Sequence, residues 1–410
     1  MSFSQFSFDP RIADAIRQVG YTVPTPIQQQ GIPVVLEGHD MLGLAQTGTG
    51  KTATFLLPML QRLLSGRKGR IRALILAPTR ELAEQIHQTA MDLGKATGAR
   101  SISIYGGVGK HSQVGDLRRG AEIVVACPGR LLDHIDGGSI NLSGVEMLVL
   151  DEADRMCDMG FLPEIRRILK YLPGPRQTLF FSATMPSDIR KLADGILRDP
   201  VTVQIEAAVP AKTVSHAFYS ASQGHKYPLL LNVLKKTDTG RVLIFTRTKR
   251  RTRKLAADLK DQGYRVSGLQ GNMVQTQRRR AIEGFRTGRF DILVATDVAA
   301  RGIDVSEISH VINFDMPDSV DAYTHRIGRT GRAERTGEAF TFATHEDEPL
   351  VRKIEKVLKK GVEHRSLPEG MQKPRSSGER PGPGRVRRGR PRNHSGRGQG
   401  RRRTGTSQSQ

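Results

Sequence analysis

Residues 45–52 constrain the fold of this chain more than any other stretch, and they read Ala-Gln-Thr-Gly-Thr-Gly-Lys-Thr. An apolar run, Met41–Leu44, precedes them, and a segment with helical periodicity, 53–64, follows. A phosphate-binding P-loop requires this strand–loop–helix context, because its glycines turn backbone N–H groups toward an anion and the helix N-terminus adds positive charge. The strict pattern begins with Gly and this one begins with Ala45, so a purely structural glycine turn is the alternative.

The charge of the chain indicates a polyanionic partner. Lys and Arg outnumber Asp and Glu by 64 to 41 among 410 residues, which gives a formal charge of +23. Residues 371–410 hold twelve of the basic residues against one acid, Glu379, and contain two apolar residues, Met371 and Val386. We expect this segment to be disordered and to hold nucleic acid electrostatically, with an inert solubilising tail as the alternative.

Composition also excludes several classes of protein. Cys127 and Cys157 are the only cysteines, which excludes a disulfide framework and argues against a zinc site. Residues 1–10 lack the apolar core of a signal peptide, and no apolar run approaches the ~18 residues of a membrane span. We therefore expect a reduced, cytoplasmic protein that makes no contact with a membrane.

Two features upstream of the P-loop are candidates for base recognition. Asp9 and Pro10 predict the start of a helix, and a turn rich in proline, 20–26, follows it. Gln28 then offers an amide that can donate to and accept from the N6 and N7 edge of adenine, and Phe3 could stack on the ring. The alternative is a proline-stiffened turn before another helix.

The pattern along the chain predicts an α/β fold with two tandem domains. Apolar, β-branched runs alternate with amphipathic helical stretches up to about residue 205 and again after a linker near 206–213. This alternation is typical of a parallel sheet with helices on both faces. The predicted strands are 41–44, 73–77, 123–126, 145–150, 178–181, 242–245, 266–269, 292–295, 311–314 and 339–342.

Conspicuous polar residues follow the predicted strands, where doubly wound sheets bind their ligands. Asp151 is placed to hold Mg²⁺ beside the P-loop, and Glu152 to orient or deprotonate a water. Capping of a helix start is the alternative for these acids. The second region has no P-loop, and its string 325–332 reads His-Arg-Ile-Gly-Arg-Thr-Gly-Arg. A phosphate-facing turn explains these arginines better than a solvated basic face does.

Taken together, these strings resemble the DEAD-box ATP-dependent RNA helicases, whose name residues 151–154 spell. The resemblance runs from about Phe3 to Leu367, and the compact core and basic tail are most similar to the bacterial RhlE-type subgroup. It implies two RecA-like domains that close over ATP, Mg²⁺ and one RNA strand. The implied boundaries are domain 1 at 1–206, a linker at 207–213, domain 2 at 214–367 and a disordered tail at 368–410.

The resemblance also implies a role for each matching residue. The nucleotide-binding residues would be Phe3, Gln28, Gly48, Thr49, Gly50, Lys51, Thr52, Gly302 and Asp304. Catalysis would fall to Lys51, Asp151, Glu152, Arg329 and Arg332, with Thr52 and Asp151 holding Mg²⁺ partly through water. Coupling of hydrolysis to unwinding would involve Ser182, Thr184, His325 and Asp154, the last through contact with the other domain. RNA contacts would come from Thr79, Arg80, Gly106, Gly107, Gly129, Arg130, Gln275, Arg278 and Thr296.

Cys127 departs from the family pattern, which usually has Thr before the Pro128-Gly129-Arg130 string. A thiol is a weaker hydrogen-bond donor than a hydroxyl. One expected contact with an RNA phosphate is therefore in doubt.

The implied activity is RNA-dependent ATP hydrolysis that separates short duplexes locally. An ATP-gated RNA clamp or annealing chaperone is one alternative, and a DNA helicase is another, since a grip on the backbone distinguishes RNA only through its 2′-OH. The expected partners are single-stranded RNA and short duplexes, from ribosomal or messenger RNA. Proteins of ribosome assembly or RNA decay are further expected partners of a monomeric protein.

Deleting residues 371–410 should weaken RNA binding and leave the RNA-stimulated rate intact at saturating RNA, because the segment carries charge and no catalytic motif. For single strands, log affinity falls with log salt by about 0.7 per neutralised phosphate. Titration of RNA at several salt concentrations should therefore give a shallower slope for the truncated protein. An unchanged slope would mean that the tail does not touch RNA.

Overall fold

The structure is a computed structural model that describes residues 2–46, 48–205, 214–236, 240–300, 308–331, 336–358 and 362–368, without the side chains of Val298 and Asp321. Thr47, the predicted linker and the predicted tail beyond Pro368 lie outside the described residues. We call 2–205 the first lobe and 214–368 the second lobe. No helix among the described residues is long and apolar enough to span a membrane.

The first lobe contains a parallel sheet of seven strands in the order β3-β4-β2-β5-β6-β1-β7. Its strands are β1 (Met41–Leu44), β2 (Ala73–Leu76), β3 (Ser101–Ile104), β4 (Ile123–Ala126), β5 (Met147–Leu150), β6 (Gln177–Ser182) and β7 (Val201–Gln204). A short 3-10 helix, Phe3–Phe6, opens the chain. The helices are α1 (Pro10–Gln18), α2 (Pro26–Leu36), α3 (Lys51–Leu63), α4 (Arg80–Gly94), α5 (Lys110–Arg118), α6 (Pro128–Asp136), α7 (Ala153–Asp158), α8 (Leu162–Leu169) and α9 (Ser187–Ile196).

The second lobe repeats this architecture with the strand order β10-β11-β9-β12-β13-β8-β14. Its strands are β8 (Val214–Ser220), β9 (Arg241–Phe245), β10 (Val266–Leu269), β11 (Ile292–Ala295), β12 (Ile308–Asn313), β13 (Gly337–Ala343) and β14 (Glu363–Arg365). Its helices are α10 (Lys226–Lys236), α11 (Lys249–Asp261), α12 (Gln275–Arg286), α13 (Asp297–Ala300), α14 (Val320–Ile327) and α15 (Glu348–Leu358), with a 3-10 turn at His345–Asp347.

Both faces of each sheet are covered, which explains why the central strands are continuously apolar. In β2, Ala73 and Ile75 belong to the hydrophobic core on one face, and Leu74 and Leu76 to the core on the other. Strand β9 divides its side chains between two cores in the same way. The predicted α/β fold with two parallel sheets is confirmed.

The ten predicted strands are present, with ends displaced by at most three residues, and four strands were missed. The missed strands are β3, β7, β8 and β14, and three of them form edges of the sheets. An edge strand is covered on fewer sides, so it needs no continuous apolar run. Strand β7, for example, buries only Val203.

Asp40, which directly precedes β1, ties the neighbouring strands together at the N-terminal edge of the first sheet. Its Oδ1 accepts a hydrogen bond from the Thr178 N–H at 2.7 Å, and its Oδ2 accepts one from the Arg198 N–H at 2.8 Å. The carboxylate is buried. Two backbone donors that would otherwise lack a partner in the interior therefore depend on this one side chain.

Asp40→Asn should lower the free energy of unfolding by about 1–3 kcal/mol, because the new amide turns an N–H toward one of two buried N–H groups. Thermal or urea denaturation measures the loss. Asp194→Asn, at an exposed position of α9, is the matched control and should leave the transition unchanged. Equal stability of the Asp40→Asn protein would contradict the assigned role.

Candidate functional site

The loop between β1 and α3 has the conformation that its glycines permit. Gly48 has φ 86° and Gly50 has φ 95°, both in the left-handed region that L side chains rarely adopt. A Cβ at Gly50 would also lie 2.5 Å from Gln28 Nε2. Both the backbone conformation and the close approach of Gln28 therefore require glycine at position 50. Within the loop, Thr49 Oγ1 donates to the Gln46 carbonyl.

Lys51 is the first residue of α3, and its side chain is buried. Its Nζ donates to the Ala45 carbonyl at 3.1 Å and lies 3.8 Å from Asp151 Oδ1. An ammonium group has three donors. The Lys51 ammonium therefore keeps donor capacity for an anion that enters the loop at the helix N-terminus.

Asp151 directly follows β5 and is buried beside the loop. Its Oδ1 accepts a hydrogen bond from the Glu152 N–H at 2.9 Å. Burial raises the pKa of Asp151 to about 6, and the positive charge of Lys51 opposes this rise only in part. A cation placed at this carboxylate would favour its charged form.

The donor set suits Mg²⁺ bound together with a nucleotide. Thr52, the second residue of α3, places a hydroxyl next to Lys51 and is half-buried. Within the described ranges, no group of three His, Cys, Asp or Glu residues is arranged to hold a metal ion. Mg²⁺ usually takes one or two carboxylates, several waters and substrate phosphates, so Asp151 and Thr52 fit this ion without a protein cage.

Glu152 has a left-handed backbone conformation, with φ 53° and ψ 51°, and is only 3% exposed. Its Oε2 accepts a hydrogen bond from Arg155 Nη1 at 2.6 Å. Burial alone would raise the pKa of Glu152, but the charges of Arg155, Lys51 and Arg329 outweigh burial and lower it. Glu152 is the N-cap of α7, yet its side chain makes no capping hydrogen bond.

Asp154 holds a turn of its own lobe, and its expected contact with the other domain stays a prediction. Its Oδ2 accepts hydrogen bonds from the Ala183 N–H, the Thr184 N–H and the Thr184 hydroxyl, at 3.1, 3.0 and 3.1 Å. Ser182 Oγ donates to the Thr184 carbonyl at 2.7 Å. Asp154 therefore fixes the 182–184 turn at the end of β6.

Gln28 connects α2 to the P-loop. Its Oε1 accepts from the Thr25 N–H at 2.9 Å, and its Nε2 donates to the Gly50 carbonyl at 3.1 Å. A side-chain amide has two donors and two acceptor lone pairs, so one of each remains for a base. Phe3 is buried, and its ring stacks with that of Tyr21 at 6.1 Å between centroids, so packing occupies part of the ring that we expected to face adenine.

The described part of the string, 325–331, does not form a solvated basic face. Arg326 and Arg329 are 3% and 4% exposed. The Arg326 guanidinium donates to both carboxylate oxygens of Asp297 at 2.6 Å, so it is an internal structural residue of the second lobe. His325 and Arg329 line a cavity with Arg155 of the first lobe. Arg332, Gly302 and Asp304 lie outside the described residues.

Several predicted RNA contacts of the first lobe converge on the Gly106–Gly107 turn. Gly107 has φ 85°, in the left-handed region that favours glycine, and the Arg80 guanidinium lies against this residue. Arg130 Nη1 donates to the Val108 carbonyl at 3.1 Å. Thr79 is buried as the N-cap of α4, and its hydroxyl accepts from the Leu82 N–H at 3.3 Å. Gly129 lies beside Arg130 in the first turn of α6.

Arg278 forms an ion pair between the lobes, a partner that the sequence did not reveal. Its Nε donates to Glu81 Oε1 at 2.7 Å, and the two side chains are 10% and 11% exposed. The neighbouring Arg80 Nη1 donates to Gln275 Oε1 at 3.4 Å. Arg278 was expected to contact RNA, but its nitrogens donate to Glu81 and to backbone carbonyls of the second lobe. Thr296 is also buried, at the end of β11.

Cys127 is packed inside the first lobe. It is 9% exposed and belongs to the hydrophobic core, and burial raises the pKa of its thiol to about 12. The expected contact with an RNA phosphate would have to come from a side chain that is buried in the first lobe.

Comparisons with known proteins agree with this geometry. Residues 25–192 match the family described as DEAD/DEAH box helicase, and residues 225–334 match the one described as Helicase conserved C-terminal domain. The chain is 41% identical over 367 residues to the ATP-dependent RNA helicase CshA of Listeria monocytogenes, which covers 89% of this chain and 70% of that protein. The chain belongs to the DEAD-box family of ATP-dependent RNA helicases.

Solved structures of Dbp5 contain the same two RecA-like domains and differ in how closely they match this chain as a whole. Dbp5 of S. cerevisiae bound to RNA and ADP BeF3 has a TM-score of 0.82 and 30% identity, over 90% of this chain and 96% of that one. A variant of Dbp5 in complex with Nup159, Gle1, IP6 and ADP has a TM-score of 0.63 and 29% identity, over 88% of this chain and 96% of that one. The lobes of this helicase are therefore arranged more as in the RNA complex of Dbp5.

Family membership fixes the general chemistry of this helicase. DEAD-box RNA helicases hydrolyse ATP, which they bind generally with Mg²⁺. Three further residues at the site had no role assigned from the sequence: Glu81, Arg155 and Asp297. Glu81 and Asp297 stand in strings that follow predicted strands, but their partners Arg278 and Arg326 are brought to them only by the fold, and Glu81 lies 197 positions from Arg278.

Replacing Arg278 with Gln should reduce the fraction of molecules with joined lobes, because removal of one partner from a buried ion pair costs about 3–5 kcal/mol. Energy transfer between one dye in each lobe, at saturating RNA and ATP analogue, measures this fraction. The exchange Glu81→Arg with Arg278→Glu should restore part of it. Glu283→Gln, which removes an exposed ion pair of α12, is the matched control. Unchanged transfer in Arg278→Gln would contradict a role in joining the lobes.

Proposed function

We propose that this helicase couples RNA-stimulated ATP hydrolysis to local, non-processive unwinding of short RNA duplexes and to remodelling of RNA–protein complexes. The observation that carries the proposal is the site shared by the lobes. Lys51, Asp151 and Glu152 come from the first lobe, and Arg329 of the second lobe is close enough for its charge to lower the pKa of Glu152. Neither lobe alone contains the complete set.

Each residue of this set has a chemical task that its surroundings support. Lys51 would bind the β- and γ-phosphates with the donors that Ala45 leaves available. Glu152, whose lowered pKa keeps it ionised at neutral pH, would orient the attacking water and accept its proton. Arg329 would stabilise the negative charge that develops on the transferred phosphoryl group. Bound Mg²⁺, held by Asp151 and Thr52 partly through water, would neutralise charge on the phosphate oxygens.

The recognition of nucleotide and RNA belongs to the same proposal. Gln28 would read adenine with its remaining donor and acceptor, and Arg80 and Arg130 at the Gly106–Gly107 turn would contact RNA phosphates. The proposed nucleotide contacts of Gly302 and Asp304, and the second arginine finger Arg332, rest on the family resemblance. The assignment of residues to domains at 1–206 and 214–367 is supported by the first sheet ending at Gln204 and the second beginning at Val214.

Energetics favour local opening over processive movement. Duplex stacking averages about 1.4 kcal/mol per step in DNA, so opening about five steps costs roughly 7 kcal/mol. Binding of one ATP and one RNA strand can offset that amount, but not tens of base pairs. Strand separation of a short duplex with ATP, compared with a non-hydrolysable analogue, tests the proposal against a role as an RNA clamp.

The biological setting proposed here rests on the resemblance to the RhlE-type subgroup. In this setting the protein is a cytoplasmic monomer that acts on ribosomal or messenger RNA in ribosome assembly or RNA decay. Cross-linking of the protein to RNA in cells, followed by sequencing of the recovered RNA, tests this setting. Recovery without enrichment of either RNA class would contradict it.

Arg329→Ala should lower RNA-stimulated hydrolysis by about 10³–10⁵ and change nucleotide affinity much less, because such arginines act on charge that develops in the transition state. Arg329→Lys should rescue poorly, since an ammonium lacks the planar fork of a guanidinium. Single-turnover hydrolysis at saturating RNA measures both variants.

Two further variants serve as controls for this measurement. Lys51→Ala should abolish turnover, and Arg352→Ala, which removes an exposed arginine of α15, should leave it unchanged. If Arg329 only bound RNA, raising the RNA concentration would restore the rate of Arg329→Ala. A near-normal rate at saturating RNA would rule out the shared site.

A further inference from the structure

Gln113 is a buried glutamine that joins three parts of the first lobe. Its Nε2 donates to the Tyr105 carbonyl at 3.0 Å, directly before the Gly106–Gly107 turn. Its Oε1 accepts from Arg130 Nη1 at 3.3 Å and from His134 Nε2 at 3.0 Å. The side chain is 5% exposed, so these contacts form away from water, where hydrogen bonds are strongest.

Helix α5 depends on this residue for its position. Gln113 is the one fully buried side chain among the nine residues of the helix. Helices usually dock through an apolar stripe, and their stability comes chiefly from packing of that stripe. Leu117 of α5 is half-buried and packs against a hydrophobic core, so the hydrogen bonds of Gln113 to Tyr105 and Arg130 act together with apolar packing to place the helix.

His134 supports the acceptor side of Gln113. Because Gln113 Oε1 can only accept, His134 Nε2 must carry the proton, and His134 Nδ1 lies 2.7 Å from the Ser139 hydroxyl, which also donates to the His134 carbonyl at 3.1 Å. Burial, with the nearby charges of Lys110 and Arg130, lowers the pKa of His134 and keeps this neutral form at pH 7. The amide of Gln113 therefore has one fixed orientation.

The Arg130 guanidinium is fixed by this arrangement beside the turn. Nη1 donates to the Val108 carbonyl as well as to Gln113, and Nε lies 3.3 Å from Asp133 Oδ2. A Cβ at Gly106 would lie 3.9 Å from Arg130 Nη2 and 3.7 Å from Arg80 Nη2, so two guanidinium groups approach the same point. Two cations held this close favour an anion between or above them.

We propose that Gln113, oriented by His134, is a positioning residue that fixes the Arg130 guanidinium at the Gly106–Gly107 turn for contact with RNA phosphates. This role rests on the RNA-binding function proposed above. Gln113 itself does not touch RNA in this scheme. Its loss should affect RNA affinity through Arg130 and leave nucleotide affinity and the rate at saturating RNA close to wild type.

A double-mutant cycle on RNA affinity tests the proposal in the full-length chain, with a single-stranded oligonucleotide as the probe. Gln113→Met keeps the volume of the side chain and removes its hydrogen bonds, and should raise the Kd for RNA about three- to tenfold. Arg130→Gln should raise it at least as much. If Gln113 acts through Arg130, the double variant should bind no more weakly than Arg130→Gln alone.

Gln177→Met is the matched control for a purely structural effect. Gln177 is another buried glutamine of the first lobe and is the first residue of β6, at the opposite edge of the sheet from Arg130. Its Nε2 donates to the Val35 and His39 carbonyls. Gln177→Met should lower the unfolding midpoint as Gln113→Met does, and leave the Kd for RNA unchanged.

His134 provides a second route if Gln113→Met does not fold. His134→Leu removes one donor to Gln113 Oε1 and should weaken RNA binding about two- to threefold, whereas His134→Gln, which can present an N–H at a similar place, should restore it. Restoration by Gln supports the proposal, and equal affinity of both variants and wild type overturns it.

The outcomes separate this proposal from the function on which it rests. Absence of RNA-stimulated hydrolysis in the wild-type protein would reject the proposed function. Stimulated hydrolysis with unchanged affinity in Gln113→Met, or additive losses in the double variant, would overturn the role of Gln113 alone. Unchanged affinity in Arg130→Gln would overturn it as well, by removing the contact that Gln113 is proposed to position.

Discussion

The buried contact between Lys51 and Asp151 is the interaction on which the rest of the site depends. Their charged atoms lie 3.8 Å apart, one at the start of α3 and the other after β5, with β6 between their strands. A single buried charge costs several kcal/mol, and the positive charge of Lys51 opposes the rise that burial causes in the pKa of Asp151. The sheet order brings them together, and Glu152 and Arg155 are arranged around this pair.

The second lobe contributes the charge of Arg329 to the site around Lys51 and Asp151. Arg329 helps to lower the pKa of Glu152, and Arg155 lines a cavity with residues of the second lobe. Ionisation of Glu152 is therefore linked to the relative position of the lobes. The Glu81–Arg278 ion pair ties the same two bodies from α4 and α12, so contact between the lobes and completion of the site are physically connected.

The sequence predicted the parts of this structure that are encoded locally. Strands that bury both faces, such as β6, are continuously apolar and were found. Strands with exposed positions, such as the edge strand β7 and the inner strand β8, were missed. The glycines at 48 and 50 and the acids after β5 were identified because they stand in short strings that directly follow apolar runs. The partners of Arg278 and Asp154 were not, because they lie 197 and 30 positions away along the chain and are brought close only by the fold. Gln113 had no sequence signal, since its role depends on three contacts across the fold.

The left-handed backbone of Glu152 has a consequence for how this protein responds to selection. A residue other than glycine in this conformation costs about 1–3 kcal/mol, a cost that the rest of the lobe must offset. Gly or Asn would relax the strain, so a search for thermostable variants would favour these residues at position 152 and remove the carboxylate. Stability and the proposed role of Glu152 therefore place opposite demands on this position. If that role is right, directed evolution that screens only for heat resistance would yield more stable proteins without activity.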